Sequence, residues 1–356
     1  MSNVEIPDSS AAGVTKKNSE AICEESFGTD VINSLAIDRE ENQQYFRQSL
    51  WSLAQRQTEH AFQCGALQSI QTSYEFVEHH GVRFLVRILA NLARKEKAHK
   101  KQQQLKVKGK DFNPFLPYEK DLFVCNLSST HLCLLNKFNV VDHHLLIVTR
   151  EFEEQETWLN LHDFSALWSG LREIDGLAFY NGGKVAGASQ RHKHIQLVPM
   201  PLSPEGWAIP MEAILSQSNG VVNNSYRVLP FRHAFSALNL TPQALPLDAA
   251  QILLDCYHRL LDQLNAKKQA EKPAKDQAGQ TLGGRDRNFI PYNLLITRRW
   301  MLLVPRIQEN AYSIPINALG FAGSLFVKNE AQLDLLKKKG PMTLLQTVGD
   351  SPRPSV

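Results

Sequence analysis

Between residues 121 and 199 the chain crowds five short apolar runs around a single helical one. The runs are "DLFVCNL", "HLCLLNKFNVV", "HHLLIVTR", "GLAFYNGG" and "HKHIQLVP". Each is rich in β-branched or aromatic residues and bounded by polar or Gly turns, the signature of a strand. The intervening "HDFSALWSGLREI" has helical period instead, with Phe164, Leu167, Trp168 and Leu171 on one face and Asp163 as the expected cap. Short strands with one crossover helix specify an antiparallel sheet with packed helices, an α+β fold.

The second half follows a similar grammar, which suggests two related halves. "SYRVLPFRHAFSAL" reads as a strand, and "LDAAQILLDCYHRLLDQLN" as a helix with Ile252, Leu253, Tyr257, Leu260, Leu261 and Leu264 inward. "PYNLLITRRWMLLVPR" is a hairpin turning at Thr297 to Arg299, and "INALGFAGSLFVKN" ends in a strand. A helix over 329–338 precedes a frayed tail holding Pro352 and Pro354. Upstream, "YFRQSLWSLAQRQTEHAF" and "VRFLVRILANLARKEKAHKKQQQ" both read as amphipathic helices, the second decaying into a cationic run from Arg94 to Lys110. That run is either a solvated helix end or a rim that attracts phosphate. It lacks the interleaved aromatics of a nucleic-acid site. The polar residues 1–40 are expected to be a disordered tail, and 266–287 a disordered insertion. This gives an N-terminal domain over 41–215 and a C-terminal one over 216–345.

An apolar fraction of 43% in 356 residues supports a buried core, and a net charge of +3 gives no global pull toward nucleic acid or membrane. Five scattered cysteines without a CxxC indicate neither a zinc framework nor a disulfide scaffold. Residues 1–20 show no apolar stretch of the kind a secretory leader carries, and no run of about 18 apolar residues occurs, so a cytoplasmic protein is expected.

The stretch "AGASQRHKHIQLVPMP" carries the chemistry. On a strand, His192, His194 and Gln196 share one face, about 7 Å from each to the next. Imidazole has a pKa of about 6.5 and one nitrogen free, so it can attack phosphorus and split one transfer into two. Gln196 and Gln190 offer amide donors, and Gly187, Ala188 and Ser189 let backbone N–H groups approach an anion. Spacing alone leaves two other readings open: imidazoles two apart can share a zinc ion, or be ordinary polar residues at a sheet edge. Lys193, between the two histidines, is expected at the strand's exposed end.

"NGGKVAGASQRHKHIQLVPMP" resembles the His-x-His-x-Gln signature of the diadenosine tetraphosphate phosphorylases, or ATP adenylyltransferases, a branch of the histidine-triad superfamily. "LLNKFNVVDHHLLIVTREFEEQ" is similar to that family's upstream strand pair, and the blocks from Pro291 and Asn317 to its carboxy-terminal ones, so the resemblance spans roughly 85–330. It implies a histidine-triad-like fold and a nucleotidyltransferase. His194 would be the nucleophile that becomes adenylylated, with His192 orienting it and Gln196 contacting phosphate and leaving group. The resemblance further implies nucleotide or phosphate contacts at Asn136, Lys137, Asn181, Gly187, Ala188, Ser189, Gln190, Asn317, Ala318, Leu319, Ser324 and Lys328, and at Lys95 ahead of the first strand. Ala188 stands where relatives often carry serine. The implied ligands are diadenosine tetraphosphate, ATP, ADP and inorganic phosphate, with Mg2+ or another divalent ion carried on the nucleotide and no organic cofactor. Uridylyl transfer from a sugar nucleotide, or a non-catalytic module that binds dinucleoside polyphosphates, are the alternatives.

Overall fold

A computed structural model describes residues 49–89, 113–216, 229–270 and 289–350, all within one compact unit running from Gln48 to Val356. The expected tail at 1–40, the basic run with Lys95, and most of the expected insertion lie outside the described residues.

In chain order the elements are α1 (Leu50–Gln63), β1 (Thr72–His79), β2 (Val82–Leu89), β3 (Phe123–Asn126), β4 (His131–Leu135), β5 (Leu145–Thr149) and α2 (Leu161–Leu171). There follow β6 (Gly176–Gly182), β7 (His194–Pro199), α3 (Glu212–Leu215), β8 (Ala234–Ala237), α4 (Pro246–Ala270), β9 (Tyr292–Ile296) and β10 (Trp300–Pro305). The chain closes with β11 (Asn310–Ala311), β12 (Ile314–Pro315), α5 (Ala318–Phe321), β13 (Ser324–Val327), α6 (Glu330–Lys339) and α7 (Pro341–Val348).

Eight strands form one sheet in the order β3-β4-β5-β7-β6-β9-β10-β8. Every pairing in it is antiparallel, and β6 against β9 joins strands of the two halves. Alternation sorts the side chains. Cys133, Leu135, Leu145, Ile147, Ile195 and Leu197 pack with α1, α2 and α4 on one face. On the other, Leu177, Phe179, Val198, Leu295, Leu302 and Val304 meet α5, α6, α7 and a three-stranded sheet ordered β1-β2-β13. Burying one such Leu or Phe side chain stabilises by about 1.5–3 kcal/mol, so either face alone supplies a domain-sized core.

The helix N-termini are capped by short polar side chains. Ser49 Oγ accepts the Ser52 N–H at 3.2 Å. For α2 the cap is Asn160 rather than Asp163. Asn160 Oδ1 accepts the N–H groups of His162 and Asp163, while Asp163 Oδ2 accepts the Asn160 N–H at 2.8 Å. Asp163 therefore sits at the third position of a reciprocal capping box.

Four further readings change. "VRFLVRIL" is strand β2, not a helix: His79 pairs with Val82, and the two residues between, His80 and Gly81, have φ of 49° and 75°. Two successive positive φ values make a type I′ hairpin turn, which forces the flanking segments to pair. In α4, Leu253, Tyr257, Leu260 and Leu264 are buried but Ile252 faces solvent. Helix α4 continues through Ala270, past the expected start of the insertion at 266. Residues 341–348 form α7 rather than part of a frayed tail, with Pro341 at its first turn, where a missing N–H costs nothing, and Pro352 and Pro354 lie outside the described residues.

Candidate functional site

Strand β7 puts its even-numbered residues on the sheet face opposite α2. His194 pairs with Val148, and Gln196 with Leu146 on one side and Phe179 on the other. His192 precedes the strand in a bridge to Glu154. The Phe115 ring packs against both imidazoles, with centroids 5.6 Å from His192 and 5.4 Å from His194.

Hydrogen bonds give each imidazole one tautomer. His194 Nδ1 lies 2.8 Å from the carbonyl of His192, so Nδ1 carries the proton and Nε2 the lone pair. The ring is buried, and loss of hydration holds its pKa down at about 4; the His192 carbonyl pulls the other way and the His192 ring adds a smaller downward push. A neutral imidazole with a free Nε2 is a nucleophile at any physiological pH. His192 differs. Its Nε2–H donates to Thr149 O at 2.8 Å, and its Nδ1 accepts from Asn113 Nδ2 at 2.9 Å. Both nitrogens are engaged, so His192 has no lone pair to offer, and a zinc ion shared by the two rings has no ligand on this side. Burial lowers its pKa as well.

Gln196 is aimed by a relay. Asn136 Nδ2 donates to His144 Nδ1 at 3.3 Å, and His144 Nε2–H donates to Gln196 Oε1 at 3.0 Å. With its oxygen so used, the amide presents its NH2 as the remaining polar group, the end that suits a phosphate oxygen. The backbone of His194 is bracketed by Gln155, whose Oε1 accepts the His194 N–H at 2.8 Å. Its Nε2 donates to the carbonyls of His194 at 3.2 Å and Asn181 at 3.0 Å.

Lys193 points to the other face and is buried, not at an exposed strand end. Its Nζ lies 2.7 Å from Asp163 Oδ2 and 3.0 Å from Glu153 Oε2. His131 Nε2 meets the other Asp163 oxygen at 3.1 Å. Burial alone would raise the Asp163 pKa, but the bonds from His131, Lys193 and Asn160 outweigh it and hold the carboxylate below its usual range. The strand bearing the histidines is thus tied to the first turn of α2 by a dry ion pair.

The loop after β6 forms a second group beside the histidines. Gly183 and Gly187 have φ of 92° and 91°, and a Cβ on Gly187 would lie 3.0 Å from Ile316 O and from Asn317 Cβ. The loop therefore rests against the last block of sequence. Asn181 Oδ1 accepts the Ala318 N–H at 3.0 Å and Asn293 Nδ2 at 2.8 Å. Asn293 Nδ2 also donates to Ala186 O at 2.8 Å. Asn317 caps α5 through the Leu319 N–H at 3.1 Å. Behind them the buried Arg306 donates to Asn293 Oδ1, to Ala186 O, and to the carbonyls of Gln308 and Ile316, each at 2.9 Å for the last two. Burial lowers its pKa to about 9, with Glu309 opposing, so a cation stands behind the loop at neutral pH. The N–H groups of Gly187 and Ala188 donate to Lys184 O at 2.9 Å and Gly183 O at 3.1 Å. Either could meet an anion only by giving up that bond. Ser189 and Gln190 continue the loop toward His192.

Other expected residues stand apart from these two groups. Lys137 Nζ pairs with Glu119 at 2.6 Å. Ser324 opens β13 in the small sheet, opposite Leu85, and Lys328 is exposed just after it. Gln155, His144, Asn113, Asn293 and Arg306 were not picked out by sequence reasoning. Asn293 and Arg306 carry a usable signal, being polar residues within or ending apolar strands.

The family model described as "Ap4A phosphorylase N-terminal domain" matches residues 40–217, and the one described as "ATP adenylyltransferase C-terminal domain" matches residues 227–351. Among curated proteins the chain is 26% identical over 247 residues to diadenosine 5',5'''-P1,P4-tetraphosphate phosphorylase 2 of Saccharomyces cerevisiae, covering 63% of this chain and 71% of that protein. It is 24% identical over 233 residues to Protein APA1 of the same yeast, covering 58% and 64%. The latter match spans just under two thirds of the relative's length. The crystal structure of yeast Ap4A phosphorylase Apa2 shares the fold, with a TM-score of 0.65, 21% identity, and 86% and 96% of the two chains covered.

Proposed function

Because the chain belongs to the Ap4A phosphorylase and ATP adenylyltransferase family, and is a nucleotidyltransferase, we propose that it phosphorolyses diadenosine tetraphosphate to ATP and ADP through adenylyl-His194. One observation carries the reading: the His194 Nδ1–H to His192 carbonyl bond, which leaves the lone pair on Nε2, on the sheet face that His194 shares with Gln196. In the first step Nε2 attacks the α-phosphorus. The N–P bond forms as the bond to the bridging oxygen breaks, and ATP leaves. The ring becomes cationic, and the His192 carbonyl stabilises that charge through the Nδ1–H it already accepts. Gln196 donates to the oxygens over which charge spreads. In the second step a phosphate oxygen attacks the same phosphorus, the N–P bond breaks, ADP leaves, and His194 is neutral again. Each step regenerates the reactants of the other direction, so the reaction is reversible. A divalent ion travels with the polyphosphate as part of the substrate. Asn181, the Gly187 to Gln190 loop and Asn317 to Leu319 are the contacts assigned to nucleotide and phosphates, and the cationic Arg306 behind them favours an anion there. Lys137, Ser324 and Lys328 remain assigned to substrate only from family likeness. The free thiols of Cys125, Cys133 and Cys256 go with a reducing, cytoplasmic setting, and no helix among the described residues is long and apolar enough to cross a membrane.

The test is to incubate the protein with labelled diadenosine tetraphosphate without phosphate, quench in alkali, and map the adduct. One adenylyl group on the peptide holding His194, absent in His194→Asn, is expected. Turnover that persists in His194→Asn, or an adduct on another residue, overturns the mechanism. UDP-glucose with galactose-1-phosphate, run in parallel, is expected to give no product.

A further inference from the structure

On the outside of α1, away from the histidine row, three metal-binding side chains converge. His60 and Cys64 lie four residues apart, one helical turn, the last at the C-cap of α1. Asp121 comes from the short 3-10 turn at Lys120–Leu122. One donor atom from each of the three lies within 4.8 Å of the other two, and His60 Nε2 is 2.9 Å from Asp121 Oδ1. We propose that His60, Cys64 and Asp121 form a zinc-class metal site, with one thiolate, one imidazole and one carboxylate as ligands and a fourth position open to water or a small ligand.

The donor set argues for the metal. Thiolate and imidazole together exclude calcium and magnesium, which take oxygen, and favour zinc over iron or manganese. Zinc bonds of about 2.0–2.3 Å place tetrahedral ligand atoms roughly 3.3–3.7 Å apart. The existing His60 to Asp121 separation needs to open by only a few tenths of an ångström, which a half-exposed carboxylate does by rotation, while Cys64 Sγ, now 3.7 Å from Ala61 O, turns from that carbonyl to the metal. The scaffold is held independently of the ion: Gln57 Nε2, one turn earlier on α1, donates to the Asp121 carbonyl at 2.7 Å. The three side chains are exposed, so an ion enters without any opening of the fold.

Binding would exchange protons. The Cys64 thiol proton leaves to solvent, and the imidazole proton now facing Asp121 moves to Nδ1, leaving the ring neutral and Nε2 on the metal. Affinity therefore falls as pH falls. The ion would clamp α1 to the chain segment that runs back to Phe115 and Asn113, the residues packed on and bonded to the catalytic pair. This inference does not depend on the reaction proposed above.

Co2+ titration of the full-length, metal-stripped protein tests it, because cobalt bound to thiolate absorbs in the near ultraviolet. Saturation at one Co2+ per chain is expected, with displacement by Zn2+ and a raised Tm. Cys64→Ser is expected to abolish the charge-transfer band. His60→Ala and Asp121→Asn are each expected to weaken binding by more than the ~10–100-fold typical of losing an outer-shell partner. Gln63→Ala, on the same turn, is expected to bind as the parent does. Binding that does not saturate at one ion per chain, or a band that survives Cys64→Ser, overturns the site.

Discussion

A buried neutral imidazole is a liability in acid, and its size can be worked out. The His194 pKa is about 4 in the folded protein against 6.5 for the free group, because burial disfavours the charged ring. When the folded chain holds a proton less tightly than the unfolded one, stability is full above the unfolded pKa and is lost as pH falls through the folded value. The window for His194 therefore runs from pH 6.5 down to 4. A gap of 6.5 to about 4, at about 1.36 kcal/mol per pKa unit, corresponds to about 3 kcal/mol once both states are protonated. By pH 4.5 roughly 2–3 kcal/mol of it has gone. Other groups titrate in the same range, so the measurement is a difference. Urea unfolding of the parent and of His194→Asn, at pH 7 and pH 4.5, should show the parent losing roughly 2–3 kcal/mol more than the variant. Asparagine at 194 keeps a polar group near the His192 carbonyl and removes the titration. If the two proteins lose the same stability between those pH values, residue 194 is not a desolvated imidazole, and the account of its free nitrogen fails with it.

Lys193→Met should destabilise by about 3–5 kcal/mol in urea unfolding, since it takes the Lys193 ammonium from the buried Asp163 carboxylate and leaves it only His131 and the Asn160 N–H; the double variant with Asp163→Asn should lose less than the two single losses combined, and simple additivity would count against the pair. Gly187→Ala forces a Cβ to within 3.0 Å of Ile316 O at a φ of 91°. It should cost about 1–2 kcal/mol of stability and raise KM for the dinucleotide several-fold with kcat less affected; an unchanged KM would remove this loop from substrate binding.

The large sheet could be read from sequence because its signals are local. Strands β3 to β7 announce themselves by apolar runs and turns, and the two-residue alternation of His192, His194 and Gln196 is enough to put them on one face. Where local signals compete, the reading failed. "VRFLVRIL" satisfies helical spacing and strand alternation equally, and the deciding feature was the turn at His80 and Gly81, outside the run. Lys193 looked like a strand end because burying an amine is costly; its partner Asp163 lies 30 residues away on a helix, and nothing in the chain order links them. The same holds for Arg306, Asn293 and Asn181, three residues from three strands or strand ends that meet behind one loop. Gln155 sits in a charged stretch that looks like any solvated turn. Contacts of this kind are set by strand order, which periodicity does not encode.

The small sheet has a consequence for how the chain is made. Strand β2 leaves the ribosome well before β13, yet the two are neighbours and parallel, with Leu85 opposite Ser324 and Ile88 opposite Val327. That edge of β2 waits through more than two hundred residues of synthesis, on the order of tens of seconds at 5–20 residues per second. Meanwhile it is an unsatisfied row of backbone donors and acceptors, open to any passing extended chain. Arg83 and Arg87, spaced along β2, put positive charge on that strand during the wait.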